Sequence, residues 1–326
     1  MSNVATPGPR EVPRVAARPP ALVPWWTMVA PSKSLRRGGI VRFDFGEHPL
    51  VVFRGRDDGV VRAIPAHCQH QGVDLARGSI VGDCLQCPLH HWQYDDRCVH
   101  VPGIGETLSR QRFVARERHG MIFIHPGDDA PPLPAFISVD ESMLHFHSGA
   151  PLELDCPWYV PVANAFDMTH LRTVHRRELI REPEISYPDA MTFVVRYSTS
   201  VTGASWSDRA MRFLSRNQID VIVTNAGGTM VIIEATAGPM RSFMMISLRP
   251  RSDGGVSILP LYAVPRSRVH LVHAPIARML FSAFLHRDFS ALRGIRFPDR
   301  YVDQQDPTIN ACYRHLCELP AYEERR

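Results

Sequence analysis

The chain has 326 residues, enough for two domains of ordinary size. Its 44% hydrophobic and 21% charged residues fit a soluble globular protein and exclude a chain that is disordered throughout. A net charge of +4 is small for this length and argues against nucleic acid or a membrane surface as partner.

Residues 1–24 carry Pro7, Pro9, Pro13, Pro19, Pro20 and Pro24 among charges, without a continuous apolar stretch. They are expected to form a flexible extension, not a secretory leader. No apolar run reaches membrane-spanning length. With seven cysteines, an odd count, a disulfide framework is not expected, and a cytoplasmic, reducing location follows. From Trp25 to about Ala130 the pattern is short strands and turns: Ile40–Phe43, Leu50–Phe53, Val60–Ile64 and Met121–Ile124. Asp58-Gly59 is a hairpin signal between the second and third. Pro131, Pro132 and Pro134 mark a linker. The stretch from Asn164 to about Ile180 is helical in character. Strands are predicted at 192–197, 219–223, 230–236, 242–248 and 256–261, then helices at about 274–296 and 307–316. Consecutive strands followed by helices predict an α+β domain, an antiparallel sheet with helices packed on it.

The first domain contains Cys68-x-His70 and Cys87-x-x-His90, with sixteen residues between His70 and Cys87. Two thiolates and two imidazoles at two loop tips suit a [2Fe–2S] cluster in which His replaces Cys on one iron. Together with Pro88 and Trp92, the spacing resembles the Rieske signature. Two residues depart from it: Gln71 stands where Arg is usual, and His91 where Gly is usual. A zinc site made from Cys84, Cys87, Cys68 and His70 is the competing reading. It leaves His90 and Trp92 without a role. His100 and His119 show no partner spacing and are expected to be structural or exposed.

The second domain opens with Asn164-x-x-Asp167-x-x-His170-x-x-x-x-His175. On a regular helix two side chains five apart diverge by roughly 140°, so a shared ion requires local winding toward π. On the long C-terminal helix, Asp288 falls on the apolar stripe Ile276, Leu280, Phe284, Leu292 and Ile295. A carboxylate facing a core is costly unless it is paired or ligates a metal. Asp288 is therefore the expected third ligand, with a salt bridge to Arg287, Arg293 or another arginine as the alternative. Asp299, Asp303 and Asp306 are weaker candidates.

This second motif resembles the mononuclear iron site of Rieske non-heme iron oxygenases. The chain as a whole resembles their terminal oxygenase (alpha) subunits, closest in layout to the monooxygenase-type branch of vanillate demethylase, ketosteroid hydroxylase and pheophorbide oxygenase-like proteins. The resemblance implies an all-β Rieske domain over 25–130, a linker with the first strands of the next domain over 131–152, and a helix-grip (START-like) catalytic domain over 153–326. It implies that Cys68, His70, Cys87 and His90 hold the cluster and that His170, His175 and Asp288 hold a mononuclear Fe(II). Asp167 would link His170 to His90 of the partner subunit in a homotrimer, and Asn164 would stand beside the iron. The implied co-substrate is O2. NAD(P)H electrons would arrive through a separate reductase, with or without a ferredoxin, because the chain lacks a Gly-rich dinucleotide fingerprint. The implied substrate is a hydrophobic small molecule. A different class of function competes with this: an electron carrier fused to a ligand-binding domain, which would need none of His170, His175 and Asp288.

Overall fold

Runs of β-branched and aromatic residues between turn residues become strands, as their preference for a pleated, half-buried surface requires. In the computed structural model, which describes residues 18–108, 112–204, 206–266, 270–295 and 306–323, eleven strands build the first domain. They are β1 (Thr27–Pro31), β2 (Ile40–Phe45), β3 (His48–Arg54), β4 (Val61–Pro65), β5 (Ser79–Val81), β6 (Cys84–Gln86), β7 (Gln93–Tyr94), β8 (Cys98–Val101), β9 (Gly105–Leu108), β10 (Phe113–Arg118) and β11 (Met121–Pro126). Six of them form one sheet in the order β1-β11-β10-β4-β3-β2, and β5 to β9 form a separate small meander. The predicted hairpin joins β3 to β4: Gly55 N–H bonds the Val60 carbonyl at 2.9 Å, and Gly59 takes a left-handed φ of +72°. The meander escaped the sequence reading because its strands are two to four residues long, too short for a period to register.

The extension is shorter than expected at its described end. Leu22 and Val23 are buried, and the Leu22 carbonyl accepts from Tyr322 N–H at 2.8 Å. Two apolar side chains find a core there. Residues 1–17 lie outside the described residues.

The second domain runs β12 (Leu144–Ser148), β13 (Leu152–Leu154), α1 (Tyr159–Ala165), α2 (Met168–Thr173), β14 (Arg177–Leu179), β15 (Glu184–Asp189), β16 (Thr192–Val201) and α3 (Trp206–Leu214). It continues with β17 (Ile219–Ala226), β18 (Met230–Ala237), β19 (Met240–Pro250), β20 (Val256–Pro265), α4 (His270–Leu292) and α5 (Pro307–Glu318). Its nine strands form one antiparallel sheet, β12-β20-β19-β18-β17-β16-β14, with β13 on β20 and β15 on β16. Both faces are covered. Along β19, Met244, Ile246 and Leu248 enter the core that contains Leu285 and Leu292 of α4 and Cys312 and Leu316 of α5. Phe243 and Met245 enter the opposite core, shared with Trp26, Met28, Met121 and Phe123 of the first domain. Alternation with period two thus sends neighbouring methionines to opposite sides. Each fully buried side chain of this size contributes roughly 1.5–3 kcal/mol. Polar ties reinforce the junction: Ser247 Oγ accepts from Met28 N–H at 3.1 Å, and Arg249 donates to the Val29 carbonyl at 3.0 Å.

Helix α4 starts and ends about four residues earlier than expected. Gly294, at φ +72°, provides the left-handed stop, and Ile295 N–H returns to the Leu292 carbonyl. Phe284, Leu292 and Ile295 lie on the inward stripe as expected. The side chains of Ile276 and Leu280, and the residues Asp299 and Asp303, lie outside the described residues.

Candidate metal centres

Two loops of similar build hold the first centre. Cys68 sits just beyond β4 and Cys87 just beyond β6. In each loop the amide four residues on returns to the cysteine carbonyl: Gly72 to Cys68 at 2.8 Å, and His91 to Cys87 at 3.2 Å. Both closing residues are left-handed, Gly72 at φ +70° and His91 at φ +62°. The four expected donors come together as two pairs. Cys68 and Cys87 are buried in the same core cluster. His70 Nδ1 and His90 Nδ1 face each other at 3.1 Å on the exposed side. Trp92 stacks flat on His70, with ring centroids 4.7 Å apart.

Tyr94 is an addition that the sequence reading missed. Its hydroxyl meets Cys68 Sγ at 3.0 Å and accepts from Gln69 N–H at 3.1 Å. Burial works to raise the Cys68 thiol, but the Tyr94 hydroxyl and the amides of His70 and Gln71 outweigh it and hold the thiol below its ordinary range. Burial, then the bond to Cys68, pushes Tyr94 well up. A buried thiol pair opposite a surface imidazole pair is the donor set of a Rieske cluster, with sulfur on one iron and nitrogen on the other. The residues present therefore fit the group. Cys84 stands apart from this set and faces Asp95 and His100 instead. That corrects the zinc alternative, which needed Cys84 beside Cys87. His100, expected to be structural or exposed, is half-buried, and its ring nitrogens lie 3.4 Å from Asp95 Oδ2 and 3.3 Å from Glu106 Oε1.

The second centre is assembled across the chain. The helix expected from Asn164 to Ile180 is two short helices and a strand. At the break Asp167 takes an extended conformation, and its Oδ1 accepts from His170 N–H at 2.7 Å, capping α2. Helix α2 ends at Thr173, Arg176 is left-handed at φ +54°, and β14 follows. No π winding is involved: His175 lies past the helix end, where the chain is free to turn its ring back beside His170. From there His170 Nε2 reaches Asp288 Oδ1 at 2.8 Å, and His175 Nε2 reaches the same oxygen at 2.6 Å. The three donor atoms lie within 4.8 Å of one another. His175 is 2% exposed and Asp288 13%, so solvent contributes little to holding the carboxylate there. Phe284 stacks flat on His175 at 3.5 Å. Burial works to raise the Asp288 carboxyl, but hydrogen bonds from the two histidines prevail and hold it below its usual range. Two imidazole nitrogens and one carboxylate on a single point fit a mononuclear iron of the two-His-one-carboxylate type. The salt bridge to Arg287 or Arg293 is absent among the described residues.

Asp306 is not a ligand. It is a buried double cap. Its Oδ2 accepts from Met168 N–H at 2.6 Å and Thr169 N–H at 3.0 Å, at the start of α2. Its Oδ1 accepts from Thr308 N–H at 3.0 Å and Ile309 N–H at 3.3 Å, at the start of α5. The Asp-Pro pair at 306–307 was the available sequence signal, a cap followed by proline at the first helical position. Asn164 is half-buried on α1, and among the described residues its side chain makes no hydrogen bond to the triad. A separate cavity of about 770 Å³ is lined by Arg118, His119, Glu141, Phe146 and Arg266 and by none of the expected donors. There Glu141 binds Arg118 and His119, the latter at 2.6 Å, so His119 is partnered as well.

Comparison with known proteins bears on both centres. Residues 25–113 match the Rieske [2Fe–2S] domain. The chain is 28% identical to cholesterol 7-desaturase of Bombyx mori over 325 residues, 93% of this chain and 66% of that protein. It is 35% identical to the oxygenase component of dicamba O-demethylase from Stenotrophomonas maltophilia over 139 residues, 39% of this chain. In these pairings the chain spans 66% and 40% of the relatives' own length. A crystal structure of dicamba monooxygenase bound to 3,6-dichlorosalicylic acid superposes with a TM-score of 0.66 at 20% identity, covering 90% of this chain and 96% of that one. The α+β fold expected from the sequence is borne out. Residues 25–113 are a Rieske [2Fe–2S] domain, and the relatives that the chain resembles include oxygenase components.

Proposed function

We propose that the chain is a terminal oxygenase that takes electrons in at Cys68, His70, Cys87 and His90 and uses them at His170, His175 and Asp288 to oxidise a hydrophobic small molecule. When bound, the cluster supplies one-electron transfer and the mononuclear Fe(II) supplies dioxygen activation. The observation that carries the reading is the convergence of His170 Nε2 and His175 Nε2 on one oxygen of Asp288, across 118 and 113 residues of chain. An electron carrier would have no use for that arrangement. The names of the relatives support the same class, since they include a desaturase and a demethylase component. Hydroxylation, demethylation, desaturation and oxidative cyclisation are all within it. Phe284 against His175 gives the site an apolar wall, which suits a hydrophobic substrate.

The exposed position of His70 and His90 supports electron exit from the imidazole edge into another chain. In the proposed homotrimer, the Asp167 carboxylate hydrogen-bonds His90 of the partner subunit and His170 of its own chain, whose helix it caps, and so fixes the path between the two centres without itself being reduced. Asn164 is proposed as a polar neighbour of the iron. Electrons come from NAD(P)H through an external reductase, with or without a ferredoxin. The proposed setting is the cytoplasm. Among the described residues no helix is long and apolar enough to cross a membrane.

The deciding experiment is Asp288→Ala, followed by iron analysis and the visible Rieske spectrum. Loss of one iron per chain with the spectrum intact is expected, together with loss of turnover. An unchanged iron content would sink the assignment. Wild-type protein that binds only two irons per chain after ferrous reconstitution would favour the carrier.

A further inference from the structure

The small meander carries a group of metal-type donors that neither centre uses. Cys84 opens β6, Asp95 lies in the turn after β7, and His100 is on β8. One donor atom from each lies within 4.8 Å of the others. All three residues are half-buried. The turn fixes Asp95: its Oδ1 accepts from Arg97 N–H at 2.6 Å and Cys98 N–H at 2.5 Å. That leaves Oδ2 turned toward His100 Nε2 at 3.4 Å. On the other side of the ring, His100 Nδ1 lies 3.3 Å from Glu106 Oε1.

A carboxylate on the outer nitrogen of a histidine fixes the tautomer and orients the ring of a metal-bound imidazole. With Nδ1–H given to Glu106, Nε2 presents a lone pair toward Asp95 Oδ2 and Cys84 Sγ. Two lone pairs facing each other across that gap repel unless a proton or a cation stands between them. Arg62, whose charge bears on Cys84, does not fill the gap. Its guanidinium is engaged by Asp58 at 2.6 Å and by Asp96 at 3.3 Å.

We propose that Cys84, Asp95 and His100 bind a zinc ion, with Glu106 orienting His100 and water at the fourth position. Sulfur, nitrogen and oxygen donors around an open tetrahedral position suit this borderline-soft ion, which has no redox chemistry of its own. Binding releases the Cys84 proton to solvent and changes no oxidation state. The ion would tie β6, which runs straight into Cys87, to the turn that follows Tyr94, whose hydroxyl holds Cys68. It would brace the cluster loops from behind.

The test uses full-length protein with cluster and iron loaded, titrated with zinc alone, then gel-filtered and analysed for zinc, iron and sulfide. One zinc per chain is expected in the wild type and in Asp288→Ala. Cys84→Ser and His100→Ala should fall to background with the Rieske spectrum unchanged, and Glu106→Gln should bind roughly 10–100-fold more weakly. Zinc that survives in Cys84→Ser but disappears in Asp288→Ala belongs to the iron triad and overturns the proposal. Cobalt(II) added to wild-type protein reads the site without any substitution. A thiolate-to-cobalt charge-transfer band in the difference spectrum is expected, because the triad offers no thiol, and its absence also overturns the proposal.

Discussion

The proposed cluster end and the proposed iron triad bring several donors together by opposite means. Cys68 to His90 spans two neighbouring loops, each closed by its own backbone hydrogen bond, with the imidazole pair on the surface. The triad joins the end of α2 to α4 across more than a hundred residues, and its donors are nearly sealed from water. A local site survives as long as its loops do. A long-range site is only as exact as the packing beneath it. Damage in the second domain should therefore empty the iron site while the cluster spectrum persists.

Asp306→Ala should show this most strongly. One buried carboxylate receives four amides, two starting α2 and two starting α5. Leaving them without a partner should cost about 3 kcal/mol of second-domain stability. Weaker retention of the mononuclear iron and an unchanged visible spectrum are expected, read by denaturant unfolding beside metal analysis. Equal loss of both metals would show that the two ends are not separable. Asp167→Asn comes next. The amide oxygen keeps the cap on His170 N–H but removes the negative charge, so the fold and both metals should stay while turnover falls roughly 100-fold. Normal turnover would rule out the linking role of Asp167. Tyr94→Phe is a smaller change at the other end. Losing the bonds to Cys68 Sγ and Gln69 N–H should cost about 1 kcal/mol and shift the cluster potential downward. Redox titration of the visible spectrum checks it, and iron content should not move.

The same contrast decides what could be read from the sequence. The four proposed cluster donors stood out because loop ligands keep a fixed spacing. Asp288 was legible because an acid on an apolar stripe needs a reason to be there. The way His170 and His175 meet was not, because a continuous helix wound toward π was expected where Asp167 caps one turn and Arg176 ends it. Asp306 was seen only as a spare acid, since its second role depends on α5 docking beside the start of α2. The meander strands, and with them the meeting of Cys84, Asp95 and His100, depend on register between strands too short to announce themselves.

The smallest expected effect separates the two cluster loops from each other. Gly72 and His91 close equivalent turns with nearly the same left-handed φ, but only His91 carries a side chain. A non-glycine residue held there costs roughly 1–2 kcal/mol. Glycine recovers that strain and gives back roughly 0.5–1 kcal/mol to the freer unfolded chain. His91→Gly should therefore stabilise the loop by about 0.5–1 kcal/mol and raise the temperature at which the cluster absorbance is lost. Gly72→Ala supplies the mirror test. A Cβ there meets nothing within 4 Å, so only the backbone strain is added, and the same temperature should fall by a similar amount. If His91→Gly instead lowers it, the exposed His91 ring makes an interaction worth more than the strain it imposes.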